Sequence, residues 1–434
     1  MSLGVYVHIP FCATRCDYCD FATWTDRDGL INEYVEACRV DVAGWRDREV
    51  LDAATSVFFG GGTPSLLPSE RLLAILAEIP LAPGAEVTVE CNPDAADAVK
   101  LAAYRAGGVT RLSFGVQSMQ SHVLAALNRT HDPANVARAV SAARSAGFET
   151  FNLDLIYGTP GESLADWRDT LDRALELEPP HVSAYALTIE PGTALGQRVA
   201  AGAPAPDDDD QAAKYEVADD RLHQGGLDWY EVSNWARPGH VCRHNLLHWS
   251  CGDYVPIGCA AHGHRAGRRW WNVRTPERYL ALVGAGDDPT GGSEDLDGSQ
   301  RREERFALAL RTAAGAVLPE PGAPEPGAPE LGGPGEARFR EECVRLAEAG
   351  LLVTDGRRVV LTRRGRLLAT DVTARLLVAG AASGSSGRAS SGRASSGPGS
   401  ARPGSARPGS GATGGPSAAA TAPVWHSVPL SARP

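Results

Sequence analysis

Six short strand-like segments alternate with longer helical segments through the first half of the chain. The strand segments are apolar or alternate in polarity, and they comprise Val5–Ile9, Ser56–Phe59, Glu86–Glu90, Arg111–Val116, Thr150–Ile156 and His181–Leu187. The helical segments between them are rich in Ala, Leu and Arg and comprise Gly29–Trp45, Ser69–Glu78, Ala95–Arg105, Pro133–Ala146 and Ser163–Leu177. Because parallel strands need crossover connections, this order predicts an α/β fold with a parallel sheet and helices outside. Ligands of such folds bind at the carboxyl ends of the strands.

Composition and charge argue against some classes of function. The 434 residues carry a net charge of −11, and their arginines are scattered rather than focused on one patch. We therefore expect no nucleic acid as principal partner. No stretch reaches the ~20 apolar residues that a membrane-spanning helix needs. No secretory signal precedes the cysteines, so we expect reduced thiols and a cytoplasmic location.

Three closely spaced cysteines follow the first strand, in the run Cys12-Ala-Thr-Arg-Cys16-Asp-Tyr-Cys19. This C-x3-C-x2-C spacing suits three thiolates that converge on one iron–sulfur cluster, whose fourth iron then stays open for a small molecule. A structural zinc site is usually four-coordinate, and no tight second cysteine pair completes one here. The nine cysteines of the chain are odd in number, which disfavours a disulfide framework.

The cysteine run resembles the cluster loop of the radical S-adenosylmethionine (SAM) superfamily. In that superfamily the open iron binds the methionine amino and carboxylate groups of SAM and passes an electron to the sulfonium. The resemblance implies that Cys12, Cys16 and Cys19 hold one 4Fe–4S cluster and that SAM is the second cofactor. It also implies the fold, which is a partial (β/α)6 barrel.

Polar and glycine residues at the predicted strand ends extend the resemblance. The second strand runs into Gly60-Gly-Gly-Thr-Pro-Ser65, which resembles the glycine-rich strand that holds the methionine ammonium of SAM. Glycine there permits close backbone approach, and an arginine can bind a carboxylate at two points. The SAM contacts implied by the resemblance are Tyr6, Gly61, Gly62, Thr63, Glu90, Gln117, Arg129 and Asp154. For Tyr6, a buried core position is an equally weighted alternative.

Over about residues 3–377 the chain resembles the oxygen-independent coproporphyrinogen III oxidase family, which has two branches. The dehydrogenase branch decarboxylates two propionates to vinyl groups and carries a fourth cysteine where this chain has Phe21. The HemW-type heme chaperones commonly carry phenylalanine there, together with a His-Asn-x-x-Tyr-Trp motif proposed to engage heme. The matching segment here is His244-Asn245-Leu-Leu-His248-Trp249, in which His248 replaces the tyrosine.

The resemblance makes His244, Asn245, His248 and Trp249 the candidate heme residues. An imidazole is a common axial ligand of heme iron, so His244 can serve as one. His248 is then a second ligand, a hydrogen-bonding partner or a neutral substitution. The structural alternative is that His244 and Asn245 satisfy buried backbone groups while Trp249 packs in the core.

Two functions from different classes follow from the resemblance. The first is a heme chaperone that binds heme, a 4Fe–4S cluster and SAM and delivers heme to acceptor proteins, transient membrane-protein acceptors among them. The alternative is a radical enzyme, a coproporphyrinogen III dehydrogenase of porphyrin biosynthesis. Phe21 and the His-Asn segment favour the chaperone, and the sequence leaves open whether SAM is cleaved productively.

The rest of the chain predicts four regions. We expect the barrel in residues 1–200, a barrel-closing region with a His/Trp/Cys-rich loop in 201–300, and a C-terminal winged-helix-like α+β domain in 301–379. The Asp355-Gly356 pair predicts a hairpin in that last domain. Residues 319–335 repeat Pro, Gly, Ala and Glu and read as a flexible insertion. From residue 380 to 434 the Ser/Gly/Ala/Arg/Pro composition predicts a disordered tail.

Overall fold

The computed structural model of the chain describes residues 2–318 and 334–381. Residues 319–333 of the predicted insertion and residues 382–434 of the predicted tail lie outside the described residues. The fifteen strands are β1 Leu3–Ile9, β2 Ala54–Gly61, β3 Leu81–Cys91, β4 Arg111–Gln117, β5 Thr150–Tyr157, β6 His181–Ala186, β7 Asp228–Glu231, β8 Asn234–Ala236, β9 Asp253–Ile257, β10 His262–Arg265, β11 Arg268–Asn272, β12 Thr290–Asp295, β13 Ala316–Val317, β14 Leu352–Thr354 and β15 Arg358–Leu361.

Helices separate the strands. They are α1 Ile31–Asp47, α2 Ser69–Leu76, α3 Ala98–Ala106, α4 Ser121–Ala126, α5 Pro133–Ser145, α6 Leu164–Glu176, α7 Ala194–Ala200, α8 Asp208–Gln224, α9 Arg243–Trp249, α10 Pro276–Ala285, α11 Gly298–Ala309, α12 Pro334–Glu348, α13 Arg363–Leu367 and α14 Ala369–Gly380. None of the described helices is long and apolar enough to cross a bilayer.

One twelve-stranded sheet forms the body of the molecule, in the order β12-β11-β10-β9-β1-β2-β3-β4-β5-β6-β8-β7. Strands β1 to β6 pair in parallel, and β9 joins the other side of β1, also in parallel. The five remaining strands extend the two edges in antiparallel pairings. Since β12 and β7 end the sheet without pairing to each other, the barrel stays open. The predicted α/β partial barrel is confirmed, and the edge strands are additions that the sequence pattern did not indicate.

Alternate residues of the parallel strands face opposite sides of the sheet. In β4, Leu112 and Phe114 are fully buried in the main hydrophobic core. Their neighbours Ser113, Gly115 and Gln117 line a cavity on the other side. The helices thus cover an apolar outer face, and the interior face of the barrel carries the polar residues.

Helix starts follow local capping chemistry. Ser163 and Asp166 form a reciprocal capping box at the start of α6. At α8, the Asp207 side chain accepts from the Asp210 amide at 2.8 Å, and three aspartates occupy the first turn. The acidic run thus begins the helix, where negative charge meets the positive end of the helix dipole.

A second core lies in the C-terminal part of the chain, around buried residues that include Phe306, Phe339 and Leu346. Strands β13, β15 and β14 form a three-stranded antiparallel sheet there, with Gly356 at φ 87° in the predicted hairpin turn. Helices α13 and α14 are separate elements, because Leu368 leaves helical geometry between them, with φ −111° and ψ 23°. The division into regions 1–200, 201–300 and 301–379 stays a prediction. Strands β9 to β12, all from the second region, join the sheet of the first.

Candidate functional site

A cavity of about 190 Å³ opens at the carboxyl ends of the parallel strands, and we call it the outer cavity. It brings together all but one of the residues predicted for the cluster and SAM, namely Cys12, Cys16, Cys19, Gly61, Gly62, Thr63, Glu90, Gln117, Arg129 and Asp154. Tyr6 lies elsewhere, in the lining of a second cavity described below. Residues from the ends of β2, β3, β4 and β5 therefore meet the cysteine loop, as the strand-end rule predicts.

Backbone hydrogen bonds hold the cysteine loop in place. The Cys12 amide donates to the Trp24 carbonyl at 3.0 Å, and the Trp24 amide donates to the Pro10 carbonyl at 2.8 Å. Farther along the loop, the Asp17 amide donates to Leu127 at 3.3 Å, and the Asp17 carbonyl accepts from Leu195 at 2.8 Å. The loop is thus fixed from three sides before any cofactor binds, which lowers the entropy cost of binding.

The three thiols lie free at the mouth of the barrel, with Cys12 buried and the other two half-buried. Burial raises the pKa of Cys12 and raises the pKa of Cys19 to about 12. Thiols in such surroundings lose their protons when iron supplies positive charge nearby. Within the described residues, no group of three or more His, Cys, Asp or Glu side chains is close enough to hold a single metal ion. A 4Fe–4S cluster does not require such a single-ion site, because each cysteine sulfur binds a different iron of the cluster.

The glycines after β2 lie directly against this loop. The Gly62 amide donates to the Ile9 carbonyl at 2.7 Å, and the Thr63 amide donates to the Phe11 carbonyl at 2.8 Å. A Cβ atom on Gly62 would lie 2.6 Å from the Phe11 carbonyl oxygen and 3.1 Å from the Cys12 sulfur. Glycine is required because any larger residue would push the strand end away from the cysteines.

Arg129 and Gln117 converge on the far wall of the outer cavity. Arg129 donates through Nη2 to the Gly115 carbonyl at 2.7 Å and through Nη1 to the Cys16 sulfur at 3.6 Å, while its buried Nε has no hydrogen-bond partner. Gln117 has φ 63°, a conformation that costs energy in a residue other than glycine. An unpaired donor and a strained backbone in one wall are typical of a ligand site, so the residues fit SAM.

Two carboxyl groups form the floor between the strands. Glu90 accepts from the Gly61 amide at 3.2 Å, and Asp154 accepts from the Ser113 hydroxyl at 2.8 Å. Burial, reinforced by the nearby Asp154 charge, raises the pKa of Glu90 to about 8. Burial also raises the pKa of Asp154. A carboxyl group kept protonated near neutral pH can gain charge when a cation arrives.

A smaller cavity of about 60 Å³ lies deeper in the barrel, and we call it the inner cavity. Three of the predicted heme residues line it, and these are His244, Asn245 and His248. The lining that it shares with the outer cavity consists of Phe21, Gly61, Glu90, Ser113, Asp154 and Tyr185. The two cavities therefore meet at one polar wall, and Tyr6 adjoins that wall from the inner side.

His244 is buried at 2% exposure on α9. Its Nδ1 atom lies 2.9 Å from the Ser56 hydroxyl, and its ring stacks on Phe58 with centroids 5.3 Å apart. Burial lowers its pKa well below the usual value, so the ring is neutral. Its Nε2 atom has no hydrogen-bond partner. A neutral imidazole nitrogen without a partner is the form in which histidine binds a metal.

The other predicted heme residues differ from His244. The His248 ring lies 5.0 Å from the His244 ring and 4.2 Å from the Tyr254 ring, and burial lowers its pKa to about 4. Asn245 accepts from the Cys242 thiol at 3.2 Å. Trp249 lines neither cavity and lies beside the buried carboxyl of Glu231. Of the four candidates, Trp249 is therefore the one that the lining of the inner cavity leaves out.

Several lining residues of the inner cavity were missed by the sequence reasoning, and these are Phe58, Arg111, Asn152 and Ser183. Asn152 on β5 donates to the Ser113 hydroxyl on β4 at 2.7 Å and to the Ser183 hydroxyl on β6 at 2.9 Å, which links three strands. These residues belong to no motif. The available signal was a polar residue at an alternating position of an otherwise apolar strand, such as Arg111 at the start of β4.

Comparison with known proteins agrees with this geometry. The radical SAM superfamily matches residues 6–174. Heme chaperone HemW of Mycobacterium tuberculosis (strain ATCC 25618 / H37Rv) is 44% identical over 384 residues, covering 86% of this chain and 94% of that protein. The HemW of Escherichia coli (strain K12) is 41% identical over 60% of this chain and 70% of its own length.

Among solved structures, the coproporphyrinogen III oxidase HemN of Escherichia coli, described as a radical SAM enzyme, superposes with a TM-score of 0.73. At 22% identity over 86% of this chain and 90% of HemN, it shows the shared fold. Taken with the HemW relatives, these matches show that the chain belongs to the HemW heme chaperone family of the radical SAM superfamily. The superfamily implies a 4Fe–4S cluster and SAM as cofactors.

Proposed function

We propose that this chain is a heme chaperone, which binds heme beside a cluster and SAM and passes it to acceptor proteins. One observation carries the proposal. His244 lines a cavity that adjoins the cofactor site, and its buried, neutral imidazole has one nitrogen without a partner. The HemW relatives are named for the same activity.

In this proposal the outer cavity holds the cofactors. Cys12, Cys16 and Cys19 bind the 4Fe–4S cluster, which supplies an electron-transfer centre with one open iron. Arg129 binds the SAM carboxylate and Glu90 its positive charge. The remaining predicted contacts position the methionine part and the hydroxyl groups of SAM. These contacts are Tyr6, Gly61, Gly62, Thr63, Gln117 and Asp154. The Gly61–Thr63 backbone lies against the cluster loop and supports that placement.

Heme binding needs movement around the inner cavity. A volume of about 60 Å³ is far below the roughly 300 Å³ or more that a large ligand occupies. Helix α9 supplies His244, Asn245 and His248 and is seven residues long. Its N-cap residue Cys242 makes no side-chain cap, and the Glu86 carboxylate accepts from its first two amides instead. We place the movement in α9, with His244 as the iron ligand and His248 beside it.

The alternative function is the oxidative decarboxylation of coproporphyrinogen III. The fold of HemN allows it, since the barrel is shared. Phe21, which lines both cavities, stands where that branch carries its additional cysteine. We further propose a cytoplasmic location, and heme acceptors that include membrane proteins met transiently.

The test uses anaerobically reconstituted full-length protein. Heme titration should saturate near one equivalent per chain, and His244→Ala should perturb the Soret band while cluster iron and sulfide are retained. His264→Ala is the matched control, because that buried histidine lines neither cavity and both its nitrogens are paired, with the Gly252 carbonyl at 2.9 Å and the Gly267 amide at 3.2 Å.

The same protein should transfer heme to an apoprotein such as apomyoglobin. With SAM and a reductant, it should form neither harderoporphyrinogen nor protoporphyrinogen from coproporphyrinogen III. Robust decarboxylation without saturable heme binding would move the chain to the enzyme branch.

A further inference from the structure

We infer that the inner cavity contains a carboxylate-binding subsite centred on Arg111, and that it takes a propionate group of the porphyrin. The inference rests on the proposed heme function and adds to it the orientation of the ligand. It depends on four features, which are the burial of Arg111, its lack of a partner, the charge around it and the size of the cavity.

Arg111 is the first residue of β4 and lies on the interior face of the barrel, with 2% exposure. It lines the inner cavity and not the outer one. Its Nε atom is buried without a hydrogen-bond partner. Within residues 2–318 and 334–381, no carboxylate lies within the 4.0 Å ion-pair distance of its guanidinium. A buried cation without a partner is costly and therefore uncommon.

Two other buried charged groups of the described residues have partners close by. Lys214, with 0% exposure, donates to Asp210 at 2.6 Å and lies 3.2 Å from Glu162. The Glu86 carboxylate accepts from the backbone amides of Arg243 at 3.1 Å and His244 at 3.0 Å. Against this background, Arg111 is an exception that folding alone does not explain, and such exceptions are typical of functional sites.

The surroundings keep Arg111 charged without pairing it. Burial by itself lowers the Arg111 pKa, but Cys242, Glu86, Tyr230 and Asp154 raise it overall. The two carboxylates nearby already accept other hydrogen bonds, Glu86 from backbone amides and Asp154 from Ser113 and Asn152. The guanidinium donors therefore remain available to a ligand.

The size and charge of the cavity favour a carboxylate on a short arm. A cavity of about 60 Å³ holds roughly four water-sized groups, which fits a propionate and excludes the macrocycle. A planar guanidinium matches a carboxylate at two points. One cation suits a singly charged group, whereas a phosphate would bring further negative charge beside Glu90 and Asp154. The methionine carboxylate of SAM is assigned to Arg129, which lines only the outer cavity.

His244 also lines this cavity, and its Nε2 atom is buried without a hydrogen-bond partner. Arg111 and His244 come from different elements, β4 and α9, and approach one space. A porphyrin bound with its propionate on Arg111 would have its edge inside the barrel and its ring toward α9. In this orientation α9 must move to admit the porphyrin ring, whereas β4 keeps its position.

The test compares metal-free protoporphyrin IX with its dimethyl ester, so that no iron–imidazole bond contributes. Fluorescence titration of the full-length protein should show about tenfold to hundredfold tighter binding of the free acid. Arg111→Met should remove that preference and leave the affinity for the ester unchanged. Arg243→Met is the matched control. The Arg243 side chain is exposed, its Nε lies 3.9 Å from the Glu86 carboxylate, and it does not line the cavity, so its variant should keep the preference.

Stability separates binding from a structural role. Arg111→Met removes a buried unpaired charge, so the unfolding temperature of the unliganded variant should equal or exceed that of wild type. A fall of several degrees would assign Arg111 to the fold and overturn the inference. Equal affinity of wild type for the acid and the ester would overturn it without any variant. In both cases a normal heme titration would leave the proposed function standing, whereas absence of both heme and porphyrin binding would remove both.

Discussion

The outer and inner cavities share one wall, but the polar groups that line them differ in their hydrogen-bond partners. In the outer cavity the arginine donates to a carbonyl and to a cysteine sulfur, and the Glu90 carboxyl accepts from a backbone amide. In the inner cavity Arg111 and the Nε2 atom of His244 have no such partners among the described residues. The polar groups of the outer cavity are thus held in place for cofactors that stay bound. Those of the inner cavity remain available to a ligand that binds and dissociates.

The shared wall makes the two cavities communicate. Glu90 and Asp154 belong to both linings, and each influences the charge state of the groups around it. Arrival of a cationic cofactor on the outer side would draw a proton from Glu90 and change the electrostatics of the inner side. Experiments that alter one cavity and measure the other therefore test the comparison directly.

The largest expected effect is loss of the cluster in Cys16→Ala, which should alter the outer cavity and leave the inner one unchanged. Cys16→Ala should abolish the brown absorbance of the reconstituted protein together with its cluster iron and sulfide, because the remaining two thiolates cannot hold the cluster. Heme should still bind near one equivalent, since His244 and Arg111 are untouched. Cys38→Ala, at a buried position that lines neither cavity, is the control and should keep the cluster. Full cluster content in Cys16→Ala would show that the cysteine assignment is wrong.

Arg129→Ala should have the next largest effect, and only on SAM. Loss of a charge-assisted, two-point contact costs about 1.5–3 kcal/mol, or roughly tenfold to hundredfold in affinity. Calorimetry on cluster-loaded protein measures it, with the exposed Arg105→Ala as control. Arg105 donates to the Gly147 carbonyl at 3.1 Å and lines neither cavity. An unchanged dissociation constant for SAM in Arg129→Ala would remove this residue from the site.

Much of the outer cavity was predictable because its cysteines and glycines carry local signatures. Cys12, Cys16 and Cys19 are close in sequence, and Gly61 and Gly62 stand at the end of a predicted strand. The other SAM contacts came from the family resemblance, which these signatures made visible. The six central strands and five helices were predicted for the same reason, through their alternation. The structure places every predicted outer-cavity residue except Tyr6 in one lining.

The inner cavity was not predictable as a whole, because it is assembled from single residues distant in sequence. Phe58, Arg111, Asn152 and His244 come from β2, β4, β5 and α9, and none has a motif around it apart from His244. Its existence depends on the register of neighbouring strands, such as Ser113 opposite Asn152, which periodicity does not reveal. The antiparallel edge strands were missed because they are short and their pattern is irregular.

A smaller effect should appear in the pH dependence of SAM binding. With a pKa of about 8, Glu90 is mostly protonated at pH 7 in the unliganded protein, and the positive charge of SAM favours its ionised form. SAM affinity should therefore rise roughly fivefold between pH 7 and pH 8 and level off above, with a proton released on binding at pH 7.

Glu90→Gln should remove this slope and hold the affinity near its low-pH value. Glu70→Gln, at an exposed position on α2, should keep the wild-type profile. Calorimetry in two buffers of different ionisation enthalpy measures the released proton. A flat profile in wild type would mean that Glu90 does not face the SAM charge.

The smallest expected effect is that of His248→Tyr, which restores the residue of the HemW-type motif. His248 lines the inner cavity, and its imidazole is neutral at pH 7 because burial lowers its pKa to about 4. Heme affinity should change by less than about threefold, as for a tolerated change of side-chain shape.

A second readout of the His248→Tyr variant is its stability in acid. The unfolded state protonates this histidine below about pH 6.5 while the folded state resists protonation down to about pH 4, so the histidine lowers stability as pH falls through that window. His248→Tyr should lose that part of the acid sensitivity in thermal unfolding measured between pH 4 and 7. If instead His248→Tyr shifts the Soret band as strongly as His244→Ala, His248 is itself an iron ligand, and the inner cavity presents two imidazoles to heme rather than one.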